Sequence, residues 1–167
     1  MIRGLVIREA QAADRDAIRD LVTQAFGQDA EARLVEALAA DGDVVMEMVA
    51  THEGTLVGHV LFSRLRVEGE GSAHDALALA PVAVAPAMQR TGVGTTLIEH
   101  AHDVLTARAE TLCVVLGDPA YYGRFGYAHE RAAGFDSDYQ CEALQALAWG
   151  AAPLTGRLVY ARAFSAL

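Results

Sequence analysis

The part of this sequence whose residue types and spacing most clearly indicate chemistry is residues 77–100, LALAPVAVAPAMQRTGVGTTLIEH. An apolar run typical of a buried strand ends near Val84, and apolar residues at helical spacing resume at Leu97. Between them, Gly92 and Gly94 lie in a turn that leads directly into the predicted helix. The first N–H groups of a helix have no partner within it, and the helix dipole adds roughly half a positive charge at that end. The pattern therefore predicts a turn that binds an anion.

Two nucleotide-binding motifs with glycine-rich turns do not fit this stretch. A dinucleotide-binding turn requires Gly-x-Gly-x-x-Gly, but Gly92 and Gly94 are followed by Thr95, Thr96 and Leu97. A P-loop requires a lysine after its last glycine, and the chain contains no lysine. A dinucleotide-binding protein is therefore a disfavoured alternative. Taken alone, the two glycines could equally serve only a tight strand-to-helix turn.

Residues 89–94, QRTGVG, match the Q/R-x-x-G-x-G/A signature position by position, so the sequence resembles the GNAT superfamily of N-acetyltransferases. The resemblance implies that the turn's backbone amides hold the pyrophosphate of acetyl-CoA and that the preceding strand pairs with the pantetheine arm. Each hydrogen bond to a charged group is worth about 1.5–3 kcal/mol, so three or four amides could supply several kcal/mol. Glycine at positions 92 and 94 lets the backbone approach the ligand closely. The candidate cofactor-binding residues are Val82, Ala83, Val84, Gln89, Arg90, Thr91, Gly92, Val93, Gly94 and Thr95.

A second stretch with chemical potential is residues 117–127, GDPAYYGRFGY. Pro119 suits the first turn of a short helix that Asp118 would cap. The ending from Tyr122 to Tyr127 resembles the closing helix and Gly-aromatic turn of the same superfamily. Tyr122 is therefore the candidate general acid, and Tyr121 is its rival.

With residues 29–35 and 58–63, this second stretch looks most like the YhbS-like branch of predicted N-acetyltransferases, and the likeness runs from Leu5 to Phe164. Gly58 is predicted to be a close-packing residue under the cofactor strand. The sequence departs from the family at residues 117–119, where GDP replaces the Asn that commonly follows the fifth strand. No contact made by that Asn is carried over to this chain.

The chemistry implied is the direct transfer of an acetyl group from acetyl-CoA to a primary amine in a ternary complex. An amine with a pKa of about 10.4 is protonated at pH 7, so the enzyme must lower that pKa or supply a base. Glu47, His59 and Asp75 are candidate bases, and spacing does not decide among them. Tyr122 would donate a hydrogen bond to the departing sulfur. The alternative is a non-catalytic acyl-CoA-binding or regulatory module of the same fold.

Composition limits the partners and the location that we expect. The chain has 167 residues, of which 53% are apolar, which predicts a single domain over residues 1–167. A formal charge of −9 argues against a nucleic-acid partner. The sequence shows neither a membrane span nor a signal peptide, so we expect a cytoplasmic monomer or homodimer. The two cysteines, Cys113 and Cys141, and the scattered histidines indicate no metal site. The acceptor would be an amine-bearing small molecule, protein or peptide.

The elements that must position these residues alternate along the chain. Amphipathic spacing predicts helices over residues 14–26 and 29–40, where the superfamily places the first lip of its acceptor groove. Strands are predicted over residues 5–7, 44–50, 56–67, 77–84, 111–116, 144–149 and 157–160, with loops at 68–72 and 134–141. The resulting fold class is α+β in three layers, with a mixed, mostly antiparallel sheet of about six to seven strands and helices on both faces.

Overall fold

The computed structural model describes residues 2–167. The strands are β1 (Leu5–Glu9), β2 (Val44–His52), β3 (Thr55–Gly69), β4 (Ser72–Val84), β5 (Leu112–Leu116), β6 (Phe135–Asp136), β7 (Leu144–Ala148) and β8 (Gly156–Val159). The helices are α1 (Arg15–Phe26), α2 (Ala30–Ala40), α3 (Val93–Ala107), α4 (Pro119–Tyr122) and α5 (His129–Ala132). The α+β class with a mixed, mostly antiparallel sheet is confirmed.

One sheet contains all eight strands, and its main path runs β1-β2-β3-β4-β5-β7. Neighbours along this path are antiparallel except β4 and β5, which are parallel. The 15-residue β3 pairs with β4 along one edge. Along its other edge it pairs first with β2 and then, from Arg66 to Glu68, with β8. A single strand therefore connects the first half of the fold to its C-terminal part.

Helices cover both faces of the sheet because each presents an apolar stripe to it. In α1, Ile18, Leu21 and Val22 are buried at helical spacing, and the helix ends at Gly27, which has a φ of 70°. Helices α1 and α2 pack on one face, in a core that includes Val49, Leu61 and Val114. Helix α3 covers the opposite face with the buried residues Val93, Leu97, Ile98, Ala101 and Leu105.

Gly58 of β3 is a close-packing residue, as the sequence predicts. A Cβ on Gly58 would lie 2.7 Å from Cδ1 of Leu97 and 2.8 Å from Cγ1 of Val93. Both distances are shorter than real Cβ contacts, so α3 rests directly on the backbone of β3 at this point. This contact fixes the start of α3, and with it the glycine-bearing turn, against the sheet.

Two predicted loops differ from the structure in extent. The loop at residues 68–72 shortens to a turn at residues 70–71, since Glu68 and Gly69 pair with Ala73 and Ser72 in the β3–β4 ladder. Backbone pairing at this hairpin outweighs its polar composition. The predicted loop at residues 134–141 contains the two-residue strand β6, which adds to β8 in parallel.

Candidate functional site

The sheet opens between β4 and β5. These strands pair only at Leu77–Cys113 and Ala78–Val114, although β4 continues to Val84. In the described part of the chain, the edge of β4 beyond Ala78 that faces β5 has no strand partner. Strands that start as parallel neighbours and then diverge leave a wedge with unpaired backbone groups on its sides.

A cavity of about 430 Å³ lies at this opening. Its lining combines Leu34, from the core under α1 and α2, with Tyr122, from the α3 side of the sheet. The cavity therefore reaches both faces through the gap between the strands. Its wall consists of Phe26, Glu31, Leu34, Ala78, Leu79, Ala80, Pro81, Val82, Val114, Val115, Leu116, Tyr122, Tyr139, Tyr160, Phe164 and Leu167.

A bulge in β4 lies within the cavity wall. Val60 and Phe62 of β3 pair with Val82 and Leu79, so residues 80–81 of β4 together oppose the single residue 61 of β3. Bulges bend a strand and change the direction of its side chains, and they are common beside active sites. Here the bulge separates the first half of β4 from the half that leads to the glycine-bearing turn.

That turn lines a second cavity of about 350 Å³. Gly92 has a φ of 98° and precedes α3 directly, in the left-handed region that favours glycine. The N–H of Thr96 donates to Gly92 O at 3.0 Å, which is the first turn of the helical hydrogen bonding. The N–H groups of residues 93–95 precede it and are available to a ligand. A Cβ on Gly94 would lie 3.1 Å from the Tyr121 hydroxyl oxygen and would narrow a ligand's access to these N–H groups. These features fit a bound diphosphate.

Side chains of the turn hold its own backbone in place. Gln89 Nε2 donates to Val84 O at 3.2 Å, and the Thr91 hydroxyl donates to Met88 O. Arg90 has a φ of 64°, an uncommon conformation for a residue other than glycine. Gln89 and Thr91 thus stabilise the turn, while its N–H groups remain for the ligand.

Tyr121 and Tyr122 line different cavities. The Tyr121 hydroxyl lies 3.3 Å from Thr95 Oγ1 and borders the cavity at the start of α3. Tyr122 lines the larger cavity between β4 and β5. The helix α4 turns the two adjacent side chains apart, and their rings cross at 82° with centroids 5.0 Å apart.

Burial sets the acidity of Tyr122. Loss of solvent raises the pKa of its hydroxyl from 10 to about 12, and the nearby Tyr121 and Cys113 act in the same direction. The short helix that carries it is capped by Asp118, whose Oδ1 accepts from the Ala120 N–H at 2.9 Å. Tyr122 is therefore a protonated hydrogen-bond donor throughout the neutral range.

The three candidate bases lie outside the larger cavity's wall. Glu47 is held by Arg15 and by His59, whose Nε2 lies 2.7 Å from Glu47 Oε2. Burial by itself would raise the pKa of Glu47, but these two partners outweigh burial and lower it. Asp75 is exposed and lies 3.5 Å from Arg66 Nε, near the far end of β4. Glu47 thus links His59 of β3 to Arg15, the first residue of α1, and this partly buried polar contact attaches α1 to the sheet.

The sequence pattern alone does not identify several side chains of the site. The aromatic wall formed by Tyr139, Tyr160 and Phe164 comes from the C-terminal region, and its contacts with β4 and β5 are long-range. Glu31 lies in the helix over residues 29–40 that the resemblance puts at the first lip of the acceptor groove, but its residue type and spacing do not single it out. Arg124 lies over the Tyr121 ring, 5.5 Å from its centroid, and lines the turn's cavity. Arg124 lies within the Tyr-x-x-x-Gly motif of residues 122–126, which is the only local pattern that points to it.

Neither a metal cluster nor a membrane helix is found in residues 2–167. No group of three His, Cys, Asp or Glu side chains there could hold a metal ion. None of the helices in this range is both long enough and apolar enough to cross a bilayer.

Comparisons with known proteins agree with this geometry. The family model for the acetyltransferase (GNAT) domain matches residues 6–129. The uncharacterized N-acetyltransferase YhbS of Escherichia coli (strain K12) is 37% identical over 133 residues, which cover 79% of this chain and 77% of that protein. The crystal structure of E. coli YhbS in complex with CoA superimposes with a TM-score of 0.89 and 29% identity, covering 99% of this chain and 94% of that one.

A second solved structure is a GNAT family acetyltransferase from Brucella melitensis in complex with acetyl-CoA. It has a TM-score of 0.81 and 31% identity, and the match covers 96% of this chain and 97% of that one. The wedge between β4 and β5, the turn before α3 and these matches lead to one conclusion: this chain is a member of the GNAT acetyltransferase family.

Proposed function

We propose that this protein is an acetyl-CoA-dependent N-acetyltransferase that transfers the acetyl group to a primary amine by direct attack in a ternary complex. The observation that carries this proposal is the opening between β4 and β5, whose wall includes Tyr122, followed along the chain from the end of β4 by the glycine-bearing turn with its own cavity. An acyl arm laid along β4 would present its thioester to the cavity.

Residues 89–95 would hold the diphosphate of acetyl-CoA, mainly through the N–H groups at the start of α3. The backbone of Val82, Ala83 and Val84 would pair with the pantetheine arm, because that stretch of β4 lies beyond its pairing with β5. The relatives support this reading, since E. coli YhbS was solved with CoA and the Brucella protein with acetyl-CoA. With a chain charge of −9, binding must rely on local N–H groups and arginines.

In the reaction, a neutral amine nitrogen attacks the thioester carbon, the carbon–sulfur bond breaks, and the amide forms. The nitrogen loses its proton and the sulfur gains one, so the products are an N-acetylated amine and CoA with a free thiol. Holding both reactants in one cavity supplies much of the rate enhancement, because no covalent enzyme intermediate is needed.

Tyr122 would stabilise the departing sulfur. With its pKa raised to about 12, against about 8.5 for a thiol in water, complete proton transfer from Tyr122 is unfavourable. The same apolar surroundings also disfavour a thiolate, so a hydrogen bond from the Tyr122 hydroxyl is worth more here than in water. We therefore assign Tyr122 as the general acid that donates this hydrogen bond as charge develops.

The test combines a binding measurement with a turnover measurement. By isothermal calorimetry we expect acetyl-CoA to bind the wild type and to bind Gly92→Ala at least about tenfold more weakly, because the left-handed turn is strained. Gly71→Ala is the matched control, since Gly71 has a φ of 71° in a hairpin remote from the turn. Mass spectrometry should detect N-acetylated product from an amine panel. Equal affinity in the two variants would contradict the assignment of the turn.

Binding of acetyl-CoA without turnover on any amine would instead favour the non-catalytic acyl-CoA-binding module. Protection against heating by NAD but not by acetyl-CoA would favour a dinucleotide-binding protein.

A further inference from the structure

We propose, on the basis of the function above, that the acceptor is a small monoamine with an apolar alkyl or aryl body, and that the Glu31 carboxylate receives its nitrogen. The part of the larger cavity lined by Phe26, Glu31, Tyr139, Tyr160 and Phe164, which we call the acceptor half, carries this inference. One end of that half is charged and the rest of its wall is apolar.

Glu31 is distinctive within the cavity wall. Of the sixteen lining residues in the described chain, it alone is an Asp, Glu, His, Lys or Arg. Both of its carboxylate oxygens accept from Gln28 Nε2, at 3.0 and 3.2 Å. By contrast, the carboxylates of Glu47 and Glu110 are paired with arginines. A carboxylate has about four acceptor positions, so the neutral Gln28 leaves room for a further donor.

The rest of the acceptor wall is aromatic. Tyr139 and Tyr160 cross edge-to-face with centroids 5.1 Å apart, and Tyr160 and Phe164 follow at 5.5 Å. At the rim, the apolar side chain of Phe26 remains 41% exposed although it lines the cavity. Contiguous apolar surface at the mouth of a cavity marks a binding region, and aromatic faces accept both apolar groups and cations.

The charge balance selects a monoamine over a polycation. One ammonium group can donate to Glu31, and this hydrogen bond survives when the nitrogen loses its proton and becomes a nucleophile. A second positive charge would find no second acidic side chain in the wall, and cation–π contact with the aromatic rings would offset only part of its desolvation. The chain's net charge of −9 attracts cations in general, so the preference for a monoamine over a polycation must come from the cavity wall. The cavity must also hold the acyl arm, which favours a small acceptor.

The first experiment compares acceptors by steady-state kinetics at saturating acetyl-CoA. We expect 2-phenylethylamine and hexylamine to have at least tenfold higher kcat/KM than ethanolamine or spermidine. Along the series from propylamine to hexylamine, KM should fall about fourfold for each added methylene, the factor that corresponds to burying one CH₂ group. A flat KM along this series, or a better kcat/KM for spermidine or for a peptide amino terminus, would overturn the inference.

The second experiment compares two variants of the same helix. Glu31→Gln keeps the size of the side chain and should raise the KM for 2-phenylethylamine at least about tenfold, with affinity for acetyl-CoA unchanged. Inhibition by 2-phenylethanol, which has the body but no ammonium, should be equal in wild type and variant. Glu36→Gln is the control, because Glu36 lies on α2 outside the cavity wall with its side chain 47% exposed. Equal KM values for Glu31→Gln and the wild type would overturn the role of Glu31.

Calorimetry separates failure of this inference from failure of the proposed function. If acetyl-CoA does not bind, the proposed function fails. If acetyl-CoA binds but no amine turns over, calorimetric binding of 2-phenylethylamine to the CoA complex tests the inference about the acceptor. Saturable binding that Glu31→Gln weakens supports the inference, and no saturable binding overturns it.

Discussion

A Cβ placed on Gly117 would lie 2.5 Å from Cε2 of the Tyr122 ring. The ring of Tyr122 therefore rests against bare backbone just after the end of β5. Gly117 is itself fixed, since its N–H donates to Ala143 O at 3.1 Å and its carbonyl accepts from Gln145 Nε2 at 3.1 Å. The position of the proposed general acid thus depends on the absence of a side chain at this neighbouring residue.

We expect Gly117→Ala to lower kcat roughly 10- to 100-fold, because the added methyl displaces the Tyr122 ring from the reacting sulfur. Affinity for acetyl-CoA should be unchanged, since the turn before α3 is not touched. Steady-state kinetics with calorimetry measures both. Gly123→Ala is the control, with no atom within 4 Å of its added Cβ and a helical φ of −57°. Equal kcat values in the two variants would refute this dependence.

Replacing each tyrosine should separate the roles of Tyr121 and Tyr122. Tyr122→Phe should lower kcat about 100-fold, the usual size of a general-acid contribution. Tyr121→Phe should raise the KM for acetyl-CoA, because the Tyr121 hydroxyl contacts Thr95 at the turn. With the pKa of Tyr122 near 12, its ionisation should not reduce the wild-type rate between pH 8 and 10. Unchanged turnover of Tyr122→Phe across this range would show that the assignment is wrong.

Arg124→Ala should weaken acetyl-CoA binding about tenfold at low salt, the effect expected from losing one hydrogen bond to a charged group. Arg124 lines the cavity at the start of α3 and is held over the Tyr121 ring. The difference from wild type should shrink as ionic strength rises. Calorimetry at two salt concentrations tests this. Arg33→Ala removes an arginine paired with Asp29 on the exposed side of α2 and should leave affinity unchanged. A deficit in Arg124→Ala that does not depend on salt would argue against a charge contact.

His102 should make the fold sensitive to acid. Burial lowers its pKa from 6.5 to about 4, against a weak opposing effect of Asp103, and its Nε2 lies 2.9 Å from the Tyr127 hydroxyl. In the unfolded chain a histidine titrates near 6.5, so the stability from burying the neutral ring is present above pH 6.5 and is lost as the pH falls toward 4. The loss between pH 7 and pH 5 amounts to about 2 kcal/mol.

Urea denaturation at pH 7 and pH 5 measures this loss. The variant His102→Gln should be less stable than the wild type at pH 7, because it loses the aromatic contacts of the ring with Phe125 and Trp149. Between pH 7 and pH 5, however, it should lose less stability than the wild type. A wild type that loses no more than the variant over this range would contradict the role of His102.

The fold and the turn could be predicted because their signals are local. Gly92 and Gly94 lie in a short motif between an apolar run and a helical pattern, and α1 follows the spacing of Ile18, Leu21 and Val22. The loop predicted at residues 68–72 is longer than the observed turn, because the polar composition of this stretch is typical of a loop. Its backbone pairing depends on a partner strand that composition does not report.

The family resemblance places the helices over residues 14–26 and 29–40 at the acceptor groove, but the side chains that meet there could not be predicted, because they are distant in sequence. Glu31 and Phe164 meet across one cavity although 132 residues separate them. Glu47 illustrates the converse: its residue type suits a base, but its side chain is occupied by Arg15 and His59. Which partner a carboxylate acquires is decided by packing between elements, and no spacing rule along the chain encodes it.

The long strand β3 has a consequence for how this scaffold could be re-engineered. Helix α1 packs on it, β8 pairs with its last third, and β4 pairs along its opposite edge. Elements on both sides of the proposed acceptor pocket are thus attached to β3, whereas the acyl group would enter at the opening between β4 and β5. Exchanging side chains on the sides of this pocket should therefore change which nucleophile is accepted and leave that opening intact.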